Sequence, residues 1–152
     1  MGAPGEDDQP GLMVQLVRIV DDLPDGFEAL RAEADAEGHR NMARLEAELA
    51  ETPELFTALL AAMGAGELLG IGGLTADPDD PSAQRMRRLY VKRSARGQGV
   101  GRAIANALLN EALNITSRVT VHVGDADAAR FWESMAFAPV EGRAWSHAYG
   151  VG

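Results

Sequence analysis

Arg96-Gly97-Gln98-Gly99-Val100-Gly101-Arg102 sets three glycines at alternate positions, where a strand-like run from Met86 to Val91 gives way to a helix-forming stretch. Glycines at a helix entrance strip side chains from the turn. Backbone N–H groups can then converge on an anion that the positive end of the helix dipole also favours. A pyrophosphate suits that chemistry. Seven of the fourteen Lys and Arg residues lie between Arg85 and Arg102, with no Asp or Glu among them, in a chain of formal net charge −9. So concentrated a basic island beside such a loop points to a phosphorylated ligand.

The spacing narrows the choice of ligand. A P-loop needs Gly-x-x-x-x-Gly-Lys-Ser/Thr, whereas Gly101 is followed by Arg102 and Ala103. A dinucleotide fold needs Gly-x-Gly-x-x-Gly after its first strand, with an acidic residue about 20 positions on. The present Gly-x-Gly-x-Gly lies in the second half of the chain. Two plainer readings also stand: a glycine-rich turn with a solvated basic face, and a nucleotide-binding regulatory domain.

On these residues, a strand ending in Val91 followed by Arg96-Gly97-Gln98-Gly99-Val100-Gly101 and a helix, the chain resembles the GNAT superfamily of acyl-CoA N-acyltransferases. That family's signature is Arg/Gln-x-x-Gly-x-Gly/Ala after a strand ending in Val, and the flanking elements fit its order from about Met13 to Tyr149. The resemblance implies acetyl-CoA as acyl donor and an amine as acceptor. It assigns the pyrophosphate to Arg96, Gly97, Gln98, Gly99, Val100 and Gly101, and the pantetheine arm to Leu89, Tyr90 and Val91. In the family the central strands splay after strand four, and a backbone N–H there polarises the acetyl carbonyl; here that amide belongs to Leu89 or Tyr90.

Two departures from the family pattern bear on proton transfer. The last family helix commonly reads Asn-x-x-Ala-x-x-x-Tyr-Glu, its Tyr protonating the leaving thiolate; the aligned residues here are Asp125, Ala128, Trp132 and Glu133. An indole donates a hydrogen bond but is no proton-transfer acid, and Trp132 also fits as a core aromatic. Tyr149 is the candidate substitute acid, provided the expected terminal strand brings it close. Some family members deprotonate the acceptor with a strand-four Glu, and the equivalent position here is Arg85. Holding a lysine-like amine neutral at pH 7 costs roughly 4 to 5 kcal/mol without such help. His122 and His147 are the candidate bases, with water-relayed deprotonation as another route, and His39 is a candidate border of the acceptor pocket.

Composition bounds the rest. With 152 residues, 46% hydrophobic and 24% charged, the chain supports one core-forming domain. The absence of cysteine excludes disulfides and thiolate zinc sites, and three scattered histidines lack metal-ligand spacing, so no metal is expected. Net acidity and the dispersal of the other basic residues argue against a nucleic-acid partner. An acidic surface suits a cationic acceptor, although it also serves solubility. Apolar runs too short to span a membrane, with no secretion-signal layout at the N-terminus, lead to a cytoplasmic expectation.

The elements expected to position the loop follow from periodicity. Residues Met1 to Gly11, rich in Gly, Pro and Asp, read as a disordered leader, with one domain over residues 12–152. Met13 to Val20 reads as a strand, Phe27, Leu30 and Ala34 as a helical stripe, and Arg40 to Ala50 as a second helix. Glu54 to Met63 and Glu67 to Ala76 form a hairpin across Gly64-Ala65-Gly66, and strand four follows the Asp77 to Pro81 turn. Val100, Ala103, Ile104, Ala107 and Leu108 stripe the helix after the glycine loop. Val119, Val121 and Val123 alternate as strand five, Gly124-Asp125 opens the last helix, and a short hairpin spans Pro139 to Tyr149. The resulting fold class is α/β (α+β): a single GNAT-like domain, ordered β-α-α-β-β-β-α-β-α-β-β, with about four helices on a mixed, mostly antiparallel sheet of about seven strands. A homodimer is expected from the resemblance alone.

Overall fold

Alternation of side chains along the central strands decides the layering. In β2 (Phe56–Gly64), Ala58, Leu60 and Ala62 turn to one side of the sheet, and Leu59 and Ala61 to the other. β3 (Glu67–Asp77) divides in the same way, Leu69 and Leu74 to one core and Leu68 and Ile71 to the other. Each face needs a helical cover. On one side α1 (Phe27–Ala36) and α2 (Asn41–Glu51) bury Phe27, Leu30, Ala34, Met42, Leu45 and Leu49. On the other, α3 (Val100–Leu113) buries Val100, Ile104, Leu108 and Ala112, joined by Trp132 of α4 (Ala126–Ser134).

The computed structural model describes residues 13–150. The expected leader lies outside the described residues. The sheet has seven strands in the order β1-β2-β3-β4-β5-β7-β6, the others being β1 (Gln15–Arg18), β4 (Asp80–Val91), β5 (Arg118–Val121), β6 (Ala138–Pro139) and β7 (His147–Gly150). Only β4 and β5 pair in parallel; the remaining neighbours are antiparallel. Element order and sheet type agree with the sequence reading, while several boundaries move. β1 is shorter than the expected Met13 to Val20. β5 stops at Val121, which leaves His122 and Val123 beyond the strand.

Close packing of α3 on β3 depends on Gly72. A Cβ built there would lie 2.7 Å from Ile104 Cγ2 and 3.1 Å from Leu89 Cδ1. Glycine therefore lets the helix approach the sheet beside the residues expected to hold the acyl donor.

Candidate functional site

β4 carries a bulge at the position where sequence analysis places the reacting amide. Its pairing with β3 runs Arg87 to Gly73 and then Tyr90 to Ile71, so Arg88 and Leu89 together oppose Gly72. Arg88 adopts φ 60°, the left-handed region that costs a non-glycine residue roughly 1 kcal/mol or more. An ion pair holds it there. Its Nε and Nη2 donate to the two carboxylate oxygens of Glu48 on α2, at 2.9 and 2.6 Å. Beside it, Asn41 Nδ2 donates to the Leu89 carbonyl at 3.2 Å. Two side chains from α2 thus fix the bulge.

β4 also parts from β5 near this point. The two strands pair only through Gln84 with Val119 and Arg85 with Thr120. The divergence is riveted at its apex by a buried polar cluster: Thr120 Oγ1 donates to Asp77 at 2.6 Å, and Arg85 Nη2 donates to the same carboxylate at 3.2 Å. Arg85, which the sequence reading sets at the strand-four Glu position, is held in an ion pair with Asp77.

Past Val91 the chain makes a short 3-10 turn (Arg93–Ala95) and enters the glycine loop. Gly97 at φ 77° and Gly99 at φ 85° take left-handed conformations, and a Cβ on either would meet nothing within 4 Å. Glycine is needed there for backbone shape, and the empty side is available to a ligand. α3 starts at Val100 with no side-chain cap on its N-terminus, so its first N–H groups keep their hydrogen-bonding capacity.

Two cavities meet at the bulge. The first, of about 620 Å³, is lined by Leu89, Tyr90, Val91, Arg96, Gly97, Gly99, Val100, Gly101, Arg102, Asp125, Phe131 and Trp132, among others. The second, of about 480 Å³, is lined by Arg44, Arg85, Arg87, Arg88, His122 and Val123, among others. His39, Asn41, Leu89, Asp125, Ala128 and Trp132 border both. Of the residues singled out from sequence, Gln98 lines neither cavity; its amide donates to the Ser94 carbonyl at 3.3 Å. His122 sits in the second cavity, away from the loop. His147 and Tyr149 line neither. His147 is buried between Ser146 and Glu133, sharing hydrogen bonds of 2.9 and 2.8 Å with them, and Tyr149 packs on Phe137 with ring centroids 5.5 Å apart.

Trp132 is buried and edge-on to both Phe131 and Phe137, at centroid distances of 5.0 Å each. Asp125 accepts the Ala128 N–H at 2.8 Å, capping α4.

The basic island is largely neutralised in the folded chain. Arg85, Arg88, Lys92, Arg93 and Arg96 pair with Asp77, Glu48, Glu67, Glu37 and Glu37 respectively. Arg96 in addition donates to the Val91 carbonyl at 3.0 Å and lies over the Tyr90 ring at 5.3 Å. Its neighbour Arg96 above all, then the Tyr90 hydroxyl, holds the Glu37 carboxyl at about 2, well below the ordinary 4.5. Burial first, then hydrogen bonds to Glu37 and Glu33, pushes the Tyr90 phenol up. Arg102 has no carboxylate partner among the described residues; it donates to Ser134 Oγ and lies over the Phe131 ring.

Sequence reasoning missed Glu37, Asn41 and Glu48. The available signal was the island itself, because seven basic residues with no local acid require counterions from elsewhere in the chain. Which acids supply them depends on tertiary packing.

The sequence profile of the acetyltransferase (GNAT) family matches residues 18–137. The chain belongs to that family. Among curated proteins nothing matches it significantly. Several solved structures share its fold. A candidate acetyltransferase from Exiguobacterium sp. 255-15 is 24% identical, with 91% of this chain and 94% of that one covered at a TM-score of 0.82. A GNAT-family acetyltransferase from Staphylococcus aureus Mu50 is 10% identical, covering 92% and 100% at 0.70. The GNAT-family N-acetyltransferase YhbS from Escherichia coli, solved in complex with CoA, is 18% identical, covering 97% and 86% at 0.67. Among the described residues, no cluster of His, Asp and Glu could hold a metal ion, and no helix is long and apolar enough to cross a membrane.

Proposed function

We propose that the protein transfers an acetyl group from acetyl-CoA to a primary amine of a small molecule or peptide by direct attack. The observation that carries this reading is the meeting of two cavities at the Leu89 bulge, one running to the glycine loop and the other lined by Arg44, Arg87 and His122. The loop fits the donor: Gly97 and Gly99 line the first cavity, a Cβ on either would meet nothing within 4 Å, and α3 presents an uncapped N-terminus. The E. coli relative's complex with CoA supports the same assignment.

Acetyl-CoA supplies the acyl carbon and a thiolate leaving group: the C–N bond to the amine forms as the C–S bond breaks, the amine gives up one proton and the thiolate takes one. The chain's residues divide the remaining work. Amides from Gly97 to Gly101 hold the pyrophosphate, and the backbone of Leu89 to Val91 lines the pantetheine arm. The amide of Leu89 or Tyr90 polarises the acetyl carbonyl, a contribution of about 3 kcal/mol for one well-placed donor. Asn41 holds the Leu89 peptide in orientation through its carbonyl. His122, lining the acceptor cavity, receives the amine proton.

A second reading, a non-catalytic acyl-CoA-binding module, is favoured by Trp132 standing where the family's Tyr acid would be and by the pairing of Arg85 with Asp77. One experiment separates the two. Acetyl-CoA binding is measured by calorimetry, and CoA release is followed over a broad amine panel. Binding with amine-dependent release supports the enzyme. Binding with release no faster than hydrolysis supports the module. Loss of both overturns the cofactor assignment.

A further inference from the structure

The second cavity is unusual in its charge. It is lined by Arg44, Arg85, Arg87 and Arg88, by His39 and His122, and by a single carboxylate, Asp125. Two of the guanidiniums are neutralised within the fold, Arg85 by Asp77 and Arg88 by Glu48, and Asp125 is occupied in capping α4. The side chains of Arg44, exposed on α2, and of Arg87, part-buried on β4, have no carboxylate or hydrogen-bond partner among the described residues, although the chain carries 23 Asp and Glu against 14 Lys and Arg. Acids were available in excess, and both neighbouring arginines of β4 found one. Arg87 is also partly buried, and burial above all, then the adjacent Arg88, pulls its pKa down. A guanidinium does not deprotonate in a protein, so its desolvation calls for an anion.

With the N-acetyltransferase reading, on which this assignment rests, the second cavity is where the acceptor lies. We propose that the acceptor amine carries an anionic group, a carboxylate or a phosphate, and that Arg87 and Arg44 bind it. Arginine forks match either anion with paired hydrogen bonds. Polyamines and lysine-rich peptides meet two guanidiniums without a paired carboxylate and are disfavoured. That reverses the expectation drawn from net acidity, since the charge of the whole surface differs in sign from the charge of the cavity.

The test uses matched amines with acetyl-CoA, following CoA release: β-alanine against β-alaninamide, phenylalanine against phenylalaninamide, and 2-aminoethyl phosphate against ethanolamine, with putrescine as a dication. At least one member bearing the anion is expected to exceed its counterpart lacking it by about tenfold in kcat/KM, mainly through KM. Whether a carboxylate or the phosphate pair responds identifies the anion. Arg87→Gln should erase the preference, Arg87→Lys should retain part of it, and both should keep wild-type affinity for acetyl-CoA by calorimetry. Equal or better use of the amines that lack an anionic group, or of putrescine, overturns the proposal, as does a preference that survives in the Arg44→Gln/Arg87→Gln double variant.

If acetyl-CoA binds and no amine is acetylated, the enzymatic reading fails separately. Calorimetry of the anionic amines against the CoA-saturated protein then decides the anion site. Binding that Arg87→Gln abolishes supports it, and no binding overturns it.

Discussion

Arg96 Nη2 lies 2.7 Å from Glu37 Oε1, so the first residue of the glycine loop is tied to the end of α1 across 59 positions of sequence. Glu37 also accepts from Arg93 and from the Tyr90 hydroxyl, at 2.9 and 2.8 Å. One carboxylate thereby links the end of α1, the end of β4 and the loop.

Removing that carboxylate should loosen the loop. Glu37→Gln is expected to weaken acetyl-CoA binding roughly fivefold by calorimetry, equivalent to about 1 kcal/mol. The pH dependence follows from the direction of the shift. Glu37 titrates near 2 in the fold and near 4.5 when unfolded, so its stabilisation is fully present above about 4.5 and is lost as pH falls towards 2. Denaturant titrations should show the wild-type advantage over Glu37→Gln constant at neutral pH and shrinking across that acidic window. An advantage independent of pH would contradict this.

The loop itself is tested at Gly99. Gly99→Asp brings negative charge to the cavity side and forces a left-handed aspartate, with an expected loss of acetyl-CoA affinity on the order of a hundredfold. Gly101→Asp should act similarly, since its Cβ would approach Val91 to 3.3 Å. Normal affinity in both variants, with folding verified by circular dichroism, refutes the assigned loop.

The bulge predicts an ordering of variants at Arg88. Arg88→Gly keeps the backbone at φ 60° without strain but loses Glu48, whereas Arg88→Val loses the ion pair and resists the conformation. Turnover is expected to fall about tenfold in the first and further in the second, with acetyl-CoA affinity changed less than kcat. Equal rates in the two variants would show that the backbone conformation is not what matters.

Trp132 offers a gain-of-function test. If the leaving thiolate lacks an acid, Trp132→Tyr should raise kcat several-fold in steady-state assays. Its ring is packed between Phe131 and Phe137, so the smaller residue also leaves a gap costing about 1 to 3 kcal/mol, visible as a lower Tm. An unchanged or reduced rate in folded protein removes the need for an acid at that position.

Legibility from sequence tracked the range of the forces involved. Left-handed glycines at 97 and 99 depend on a few consecutive residues, and the stripes of α2 and α3 on periodicity, so the loop and the helical covers were readable. The bulge was not. Arg88 is a residue type that does not announce φ 60°, and the partner that holds it lies 40 positions away on α2. The alternation of Val119, Val121 and Val123 extends the strand through His122, yet β5 ends at Val121 and His122 lines the second cavity.

The amino-acid sequence alone determined the order of elements, the glycine loop and the family, because backbone preference and hydrophobic period are written over short stretches. Tertiary structure decided which of the clustered arginines remain available to a ligand. Arg85, Arg88 and Arg96 are neutralised by acids from β3, α2 and the end of α1, while Arg87 and Arg44 line a cavity whose one carboxylate, Asp125, is occupied in capping α4. Charge is counted along the chain, but its compensation is settled by distance in space, over the few ångströms where a carboxylate meets a guanidinium.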